Sequence, residues 1–162
     1  MPRPIDSLEL FYAHALAIEH EAMQRYDEFH VHFDGRGEEV LAGLCATMAR
    51  EERRHYAQLL RTTQDLELPD INAVRYQWIG GTSPEAPAAE LFYRVATPMQ
   101  LLEVALAGEV AARRFFRWVT RTSRDPSVRN AARLLAREEA AHVRWVMDAM
   151  QYREPTAAIP QG

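Results

Sequence analysis

The chain has 162 residues, 48% hydrophobic and 26% charged, about the size of one domain and enough to bury a core. Its net charge is −4, its basic residues are spread along the chain, and no apolar run approaches the ~20 residues that span a bilayer, which argues against nucleic acid and membrane as partners. Cys45 is the single cysteine, so there is no intrachain disulfide, zinc knuckle or cysteine-ligated iron site; the opening MPRPIDSLEL lacks the apolar core of a signal peptide, and a cytoplasmic protein is the expectation.

Taken in order, Asp6 or Ser7 can cap a first helix over about 7–33. Its apolar stripe is Leu8, Phe11, Ala15, Ala22, Tyr26, Phe29 and Phe33, at helical spacing. Asp34-Gly35-Arg36-Gly37 then reads as a turn past a helix C-terminus. A second helix over about 38–64 is expected to bury Val40, Leu41, Leu44, Met48 and Leu59. So short a turn makes the two helices an antiparallel hairpin.

The periodicity lapses over 65–97, a stretch with several prolines and a Gly-Gly pair, in which only 88–95 is weakly helical. A connection of this length can carry the chain back along a bundle, so that the second and third helices run parallel. Thr97-Pro98 is a cap followed by proline at the first helical position. It opens a third helix over about 98–123, with Leu102, Ala105, Ala112, Phe116 and Val119 on its stripe. Asp125-Pro126 repeats the signal and opens a fourth, over about 126–152, along Val128, Ala132, Leu135, Val146 and Met150. The tail, 153–162, carries no helical pattern. The expected fold is all-α: one four-helix bundle domain over 1–162, two antiparallel hairpins joined by one long crossover.

One pattern occurs in both hairpins. Residues 49–55 read AREERRH and 136–142 read AREEAAH. Positions three apart share a helix face, so Glu52 sits beside His55, and Glu139 beside His142. One Glu-x-x-His pair is common by chance; two in matching contexts can converge on one site inside a bundle. The other two stripes are interrupted at the same level. Glu19 lies between Ala15 and Ala22, and Glu109 between Ala105 and Ala112. Carboxylates are seldom buried unless paired or bound to metal, and four at one level repel unless cations neutralise them. Two divalent ions do this, and a Glu from each of two helices with a Glu-x-x-His from each of the others is a known ligand set for dinuclear bundles. Taken singly, Glu52 and Glu139 could be exposed charges; the repeated set on core stripes favours ligands.

On these residues the chain resembles the di-iron domain of rubrerythrins and rubrerythrin-like proteins of the ferritin-like superfamily. The segments that carry the likeness are AIEHEAMQRY, EERRHYAQL, ALAGEVAARRFF and AREEAAHVRWV, spread over all four helices. The resemblance implies that Glu19, Glu52, His55, Glu109, Glu139 and His142 hold two iron ions, with Mn or Zn compatible with the same donors. In this reading Glu52 and Glu139 bridge, while Glu19 and Glu109 are terminal. Tyr26, two turns after Glu19, matches a tyrosine that such proteins place beside the cluster, although an apolar stripe also accounts for it as core. Rubrerythrins usually carry a further glutamate three residues after the third-helix ligand, where this chain has Ala112, and many carry a rubredoxin module that a single cysteine cannot build. Bacterioferritins share the six-ligand pattern, but Arg53 stands where their haem-ligating methionine would be.

The expectation is therefore redox chemistry with peroxide or O2, supported by a separate electron donor, in a homodimer or small homo-oligomer. Ferrous ion oxidation for iron handling, and a structural bundle with a non-redox metal, are the other readings. Glu51 and Glu138 are expected at the surface or beside the site. Glu21 and Glu103 are weaker candidates than Glu19 and Glu109. His14, His20, His30 and His32 are expected at surfaces or helix ends, Cys45 as a small core residue, and the run Arg113, Arg114, Arg117 and Arg121 as a solvated or subunit-facing surface.

Overall fold

The computed structural model describes residues 2–70 and 94–151. Among the described residues, four helices make up the regular structure: α1 Leu8–Asp34, α2 Glu39–Thr62, α3 Pro98–Thr122 and α4 Pro126–Gln151. Each start follows from local chemistry. The Ser7 hydroxyl accepts from the Leu10 N–H to cap α1. Thr97 and Gln100 form a reciprocal capping box on α3, with Pro98 in the first turn where its missing N–H costs nothing. The Asp125 carboxylate accepts from the N–H groups of Ser127 and Val128 ahead of α4. Between α1 and α2 the Glu38 N–H reaches back to the Phe33 carbonyl, and Gly37 takes the left-handed conformation, φ 72°.

α1 packs most closely on α2, and α3 on α4; α1 also meets α4, and α2 meets α3. Most of the buried apolar side chains fall into two clusters. One joins the C-terminal ends of α1 and α4 to the N-terminal ends of α2 and α3, through Phe29, Phe33, Leu41, Met48, Leu102 and Val146. The other joins the opposite ends, through Phe11, Ile18, Leu59, Phe116, Val119 and Val128. α2 and α3 therefore run parallel, as a ferritin-like bundle with one long crossover requires. Asp6 fastens the N-terminal segment to the α3–α4 turn by accepting from the Arg124 N–H, the Arg124 guanidinium and the Ser123 hydroxyl.

Two expectations need correction. Val40 is 60% exposed, because Leu41, Leu44, Cys45 and Met48 set the buried face and Val40 lies to one side of it. His14 is wholly buried rather than superficial: every residue from Ala13 to Glu19 is buried, so this stretch of α1 has no solvent face. Its Nδ1–H donates to the Leu10 carbonyl, and its ring stacks on Phe115 of α3. The weak helical pattern at 88–95, apart from the buried Val95, and the tail from 153 onward lie outside the described residues. No helix among the described residues is long and apolar enough to cross a membrane.

Candidate metal centre

Between the two apolar clusters lies a polar layer built from one or two residues of each helix. Glu19 comes from α1, Glu52 and His55 from α2, Glu109 from α3, and Glu139 and His142 from α4. Five of the six are buried and His142 is partly so. Small neighbours make room for the layer: Ala15, Ala22, Ala105 and Ala112 flank it on α1 and α3, and all are buried.

The six residues form two half-sites, one in each hairpin. Glu19, Glu52 and His55 each bring a ligand atom within 4.8 Å of the others, and so do Glu109, Glu139 and His142. His55 Nδ1 is 3.7 Å from Glu19 Oε2 and 3.9 Å from Glu52 Oε2. His142 Nδ1 is 3.4 Å from both Glu109 Oε2 and Glu139 Oε2. The two imidazoles stack across the bundle, centroids 4.3 Å apart and planes 6° from parallel, so the half-sites share a wall. Oε2 of Glu19, Glu52 and Glu139, with Nδ1 of His142, are buried and make no hydrogen bond. Buried polar atoms are nearly always satisfied, and unsatisfied oxygens converging on imidazole nitrogens are what a metal ion would satisfy. The donor set fits Fe, Mn or Zn.

Electrostatics point the same way. Burial, with the charges of Glu19, Glu109 and Glu139, pushes Glu52 well above the usual carboxylate range. Burial does the same to Glu139, partly offset by His142 and reinforced by Glu109 and Glu19. For His142, burial would lower the pKa, but Glu109 and Glu139 outweigh it and lift it to about 11. The metal-free layer thus retains protons that a divalent cation must displace, since ligands bind metal deprotonated.

The half-sites differ outside this shell. Arg54 Nη2 lies 3.1 Å from His55 Nε2. A guanidinium can only donate, so Nε2 accepts and the His55 proton sits on Nδ1, facing Glu19 and Glu52. Arg54 is itself held by Glu51, 3.1 Å away. In the second hairpin the matching position is Ala141. Glu51 and Glu138, expected at the surface or beside the site, each lie over the other hairpin's half-site: Glu51 lines a small cavity with Glu109 and His142, and Glu138 a larger one with Glu19 and His55. Tyr12 also lines the larger cavity, a residue the sequence reading did not single out. Tyr26 is buried against Phe29 in the apolar cluster at the C-terminal end of α1 and lines neither cavity.

A family model described as Rubrerythrin matches residues 11–95 and 100–161, which include all six residues of the layer. No curated protein matches the chain. Among solved structures, an uncharacterized conserved protein from Magnetospirillum magnetotacticum MS-1 is similar over 95% of this chain and 99% of its own, at 28% identity and a TM-score of 0.68.

Proposed function

The chain belongs to the rubrerythrin family, and from that membership we propose that it is a carboxylate-bridged di-iron redox protein that reacts with peroxide or O2. The observation that carries the reading is the pair of buried Glu-Glu-His groups, stacked imidazole to imidazole, in which Oε2 of Glu19, Glu52 and Glu139 makes no hydrogen bond. When bound, two ferrous ions supply one electron each, the number needed to reduce a peroxide O–O bond. The protein's part is to hold and enclose them. Glu52 and Glu139, each of which feels carboxylates from both hairpins, would hold the ions from the middle of the layer. Glu19 with His55, and Glu109 with His142, would hold them from the two hairpins. The apolar clusters on either side of the layer lower the dielectric around these charges and so strengthen each contact. The choice of iron over Mn or Zn rests on the family.

Two features bear on turnover. The chain's single cysteine leaves no rubredoxin module to return electrons, so a separate donor is required. Ala112 is wholly buried in the apolar cluster around Phe116, so no seventh carboxylate approaches from that position. That second feature favours, as the other reading, ferrous ion oxidation for iron handling. Stopped-flow mixing of the di-ferrous protein with peroxide or O2 separates them. We expect a single oxidation event with the protein alone, and repeated peroxide turnover once a reductase and a small electron carrier are added. Catalytic oxidation of excess ferrous ion, with no donor sustaining peroxide turnover, would move the assignment to iron handling. No oxidation by either reagent would leave a structural metal site.

A further inference from the structure

We propose that divalent cations reach the dinuclear site through the cavity between α1, α2 and α4, and that the Glu138 carboxylate at its mouth is a transient cation-binding station. The proposal rests on the metal-site reading above and adds the route and the residue that serves it.

The two cavities beside the polar layer are unequal. The one reaching Glu19 and His55 has a volume of about 130 Å³, and the one reaching Glu109 and His142 about 20 Å³. One water needs about 10–15 Å³ of such space, so the first has room for a cation with several waters and the second for about one water. The larger cavity opens at a rim of exposed Gln58, Thr62, Leu134 and Glu138 and is walled by Tyr12 and Leu135. At its inner end stands Glu19, 3% exposed, whose Oε2 makes no hydrogen bond. An exposed carboxylate at the rim and an unsatisfied one at the base give a hard cation oxygen donors at both ends of the passage.

The hairpin repeat supplies an internal comparison. Glu51 and Glu138 occupy matching positions, each over the opposite half-site, but Arg54 engages Glu51 and Ala141 stands where a partner for Glu138 would be. The mouth with room for a hydrated ion is therefore also the mouth whose carboxylate has no arginine one turn on. The charge is felt inward as well: burial, and then Glu138, push the Tyr12 phenol above its usual pKa. An anionic group at the opening of a low-dielectric cleft raises the local cation concentration and the on-rate, by about 10- to 1,000-fold in known cases.

The test is the rate at which metal-free protein takes up Co²⁺, followed by its visible absorbance in a stopped-flow mixer without oxidant. Wild type, Glu138→Gln, Glu51→Gln and Gln58→Lys are compared, each first shown to melt like wild type. All four should end at two Co²⁺ per chain. Glu138→Gln should load about tenfold more slowly and with a weaker salt dependence, Gln58→Lys should load more slowly still, and Glu51→Gln should match wild type. Two Co²⁺ per chain with an unchanged Glu138→Gln or Gln58→Lys rate, or an equal slowing in Glu51→Gln, would overturn the route while leaving the site. Failure of wild type to bind two Co²⁺ would overturn the site and the route together.

Discussion

His14 is buried against Phe115 with its Nδ1 proton committed to the Leu10 carbonyl. Burial holds its pKa below 6.5, and the backbone hydrogen bond offsets only part of that. A depressed folded-state pKa means that the unfolded chain binds the extra proton first. The stability His14 contributes is thus present above about pH 6.5 and lost as pH falls through the folded value. Thermal melts of metal-free protein at pH 7.5 and 5.5 should show a smaller drop in His14→Phe than in wild type; equal drops would contradict this account. Glu52 gives the converse case, a carboxyl whose raised folded-state pKa costs stability at neutral pH unless metal is bound. Glu52→Gln should raise the stability of the metal-free protein by about 1 kcal/mol or more, roughly 2–4 °C in Tm at this chain length, and abolish stabilisation by added metal. A lower Tm for the metal-free variant would mean that the carboxylate is already compensated. All six residues of the layer were legible in the sequence, because each interrupts an apolar stripe with charge. His14 was not, because periodicity on one helix does not reveal that α1 is covered on every side at that level.

At the scale of elements, the helix starts were written in local chemistry: Ser7, the Thr97-Pro98 pair and Asp125-Pro126 stand where the chain turns into α1, α3 and α4. The turn between α1 and α2 rests on one backbone conformation. Gly37 has φ 72°, and a Cβ there would meet nothing within 4 Å, so the cost of Gly37→Ala is backbone strain alone, about 1–2 kcal/mol. Gly43 lies inside α2 in equally open space with ordinary helical geometry. There the same substitution should stabilise, by about 0.5–1 kcal/mol, because it restricts the unfolded chain. Denaturant titrations of the two variants should move in opposite directions; movement in the same direction would contradict the backbone argument. The pairing of elements was less legible. That Glu51 and Glu138 reach across to the opposite hairpin depends on how the hairpins dock, which no single helix encodes. The Arg54–Ala141 difference was visible in the two repeats, but its meaning needed the stacked histidines to locate it.

In the whole molecule, two apolar clusters hold the ends of the helices together and a layer of like charges separates them. This predicts a protein whose cohesion depends on what neutralises the layer. Metal that binds only the folded state stabilises it by mass action, by about 4 kcal/mol when its concentration is a thousand times the dissociation constant. Above all, the two half-sites are expected to act as one dinuclear centre. Anaerobic titration of metal-free protein with ferrous ion, each sample then oxidised and its absorbance recorded, tests this most directly. Two bridged ions sit about 3.5–4 Å apart, so the signal should rise to a break at two irons per chain and be absent from the Glu52→Ala, Glu139→Ala double variant. A break at one iron, no saturation, or an unchanged signal in the double variant would contradict it.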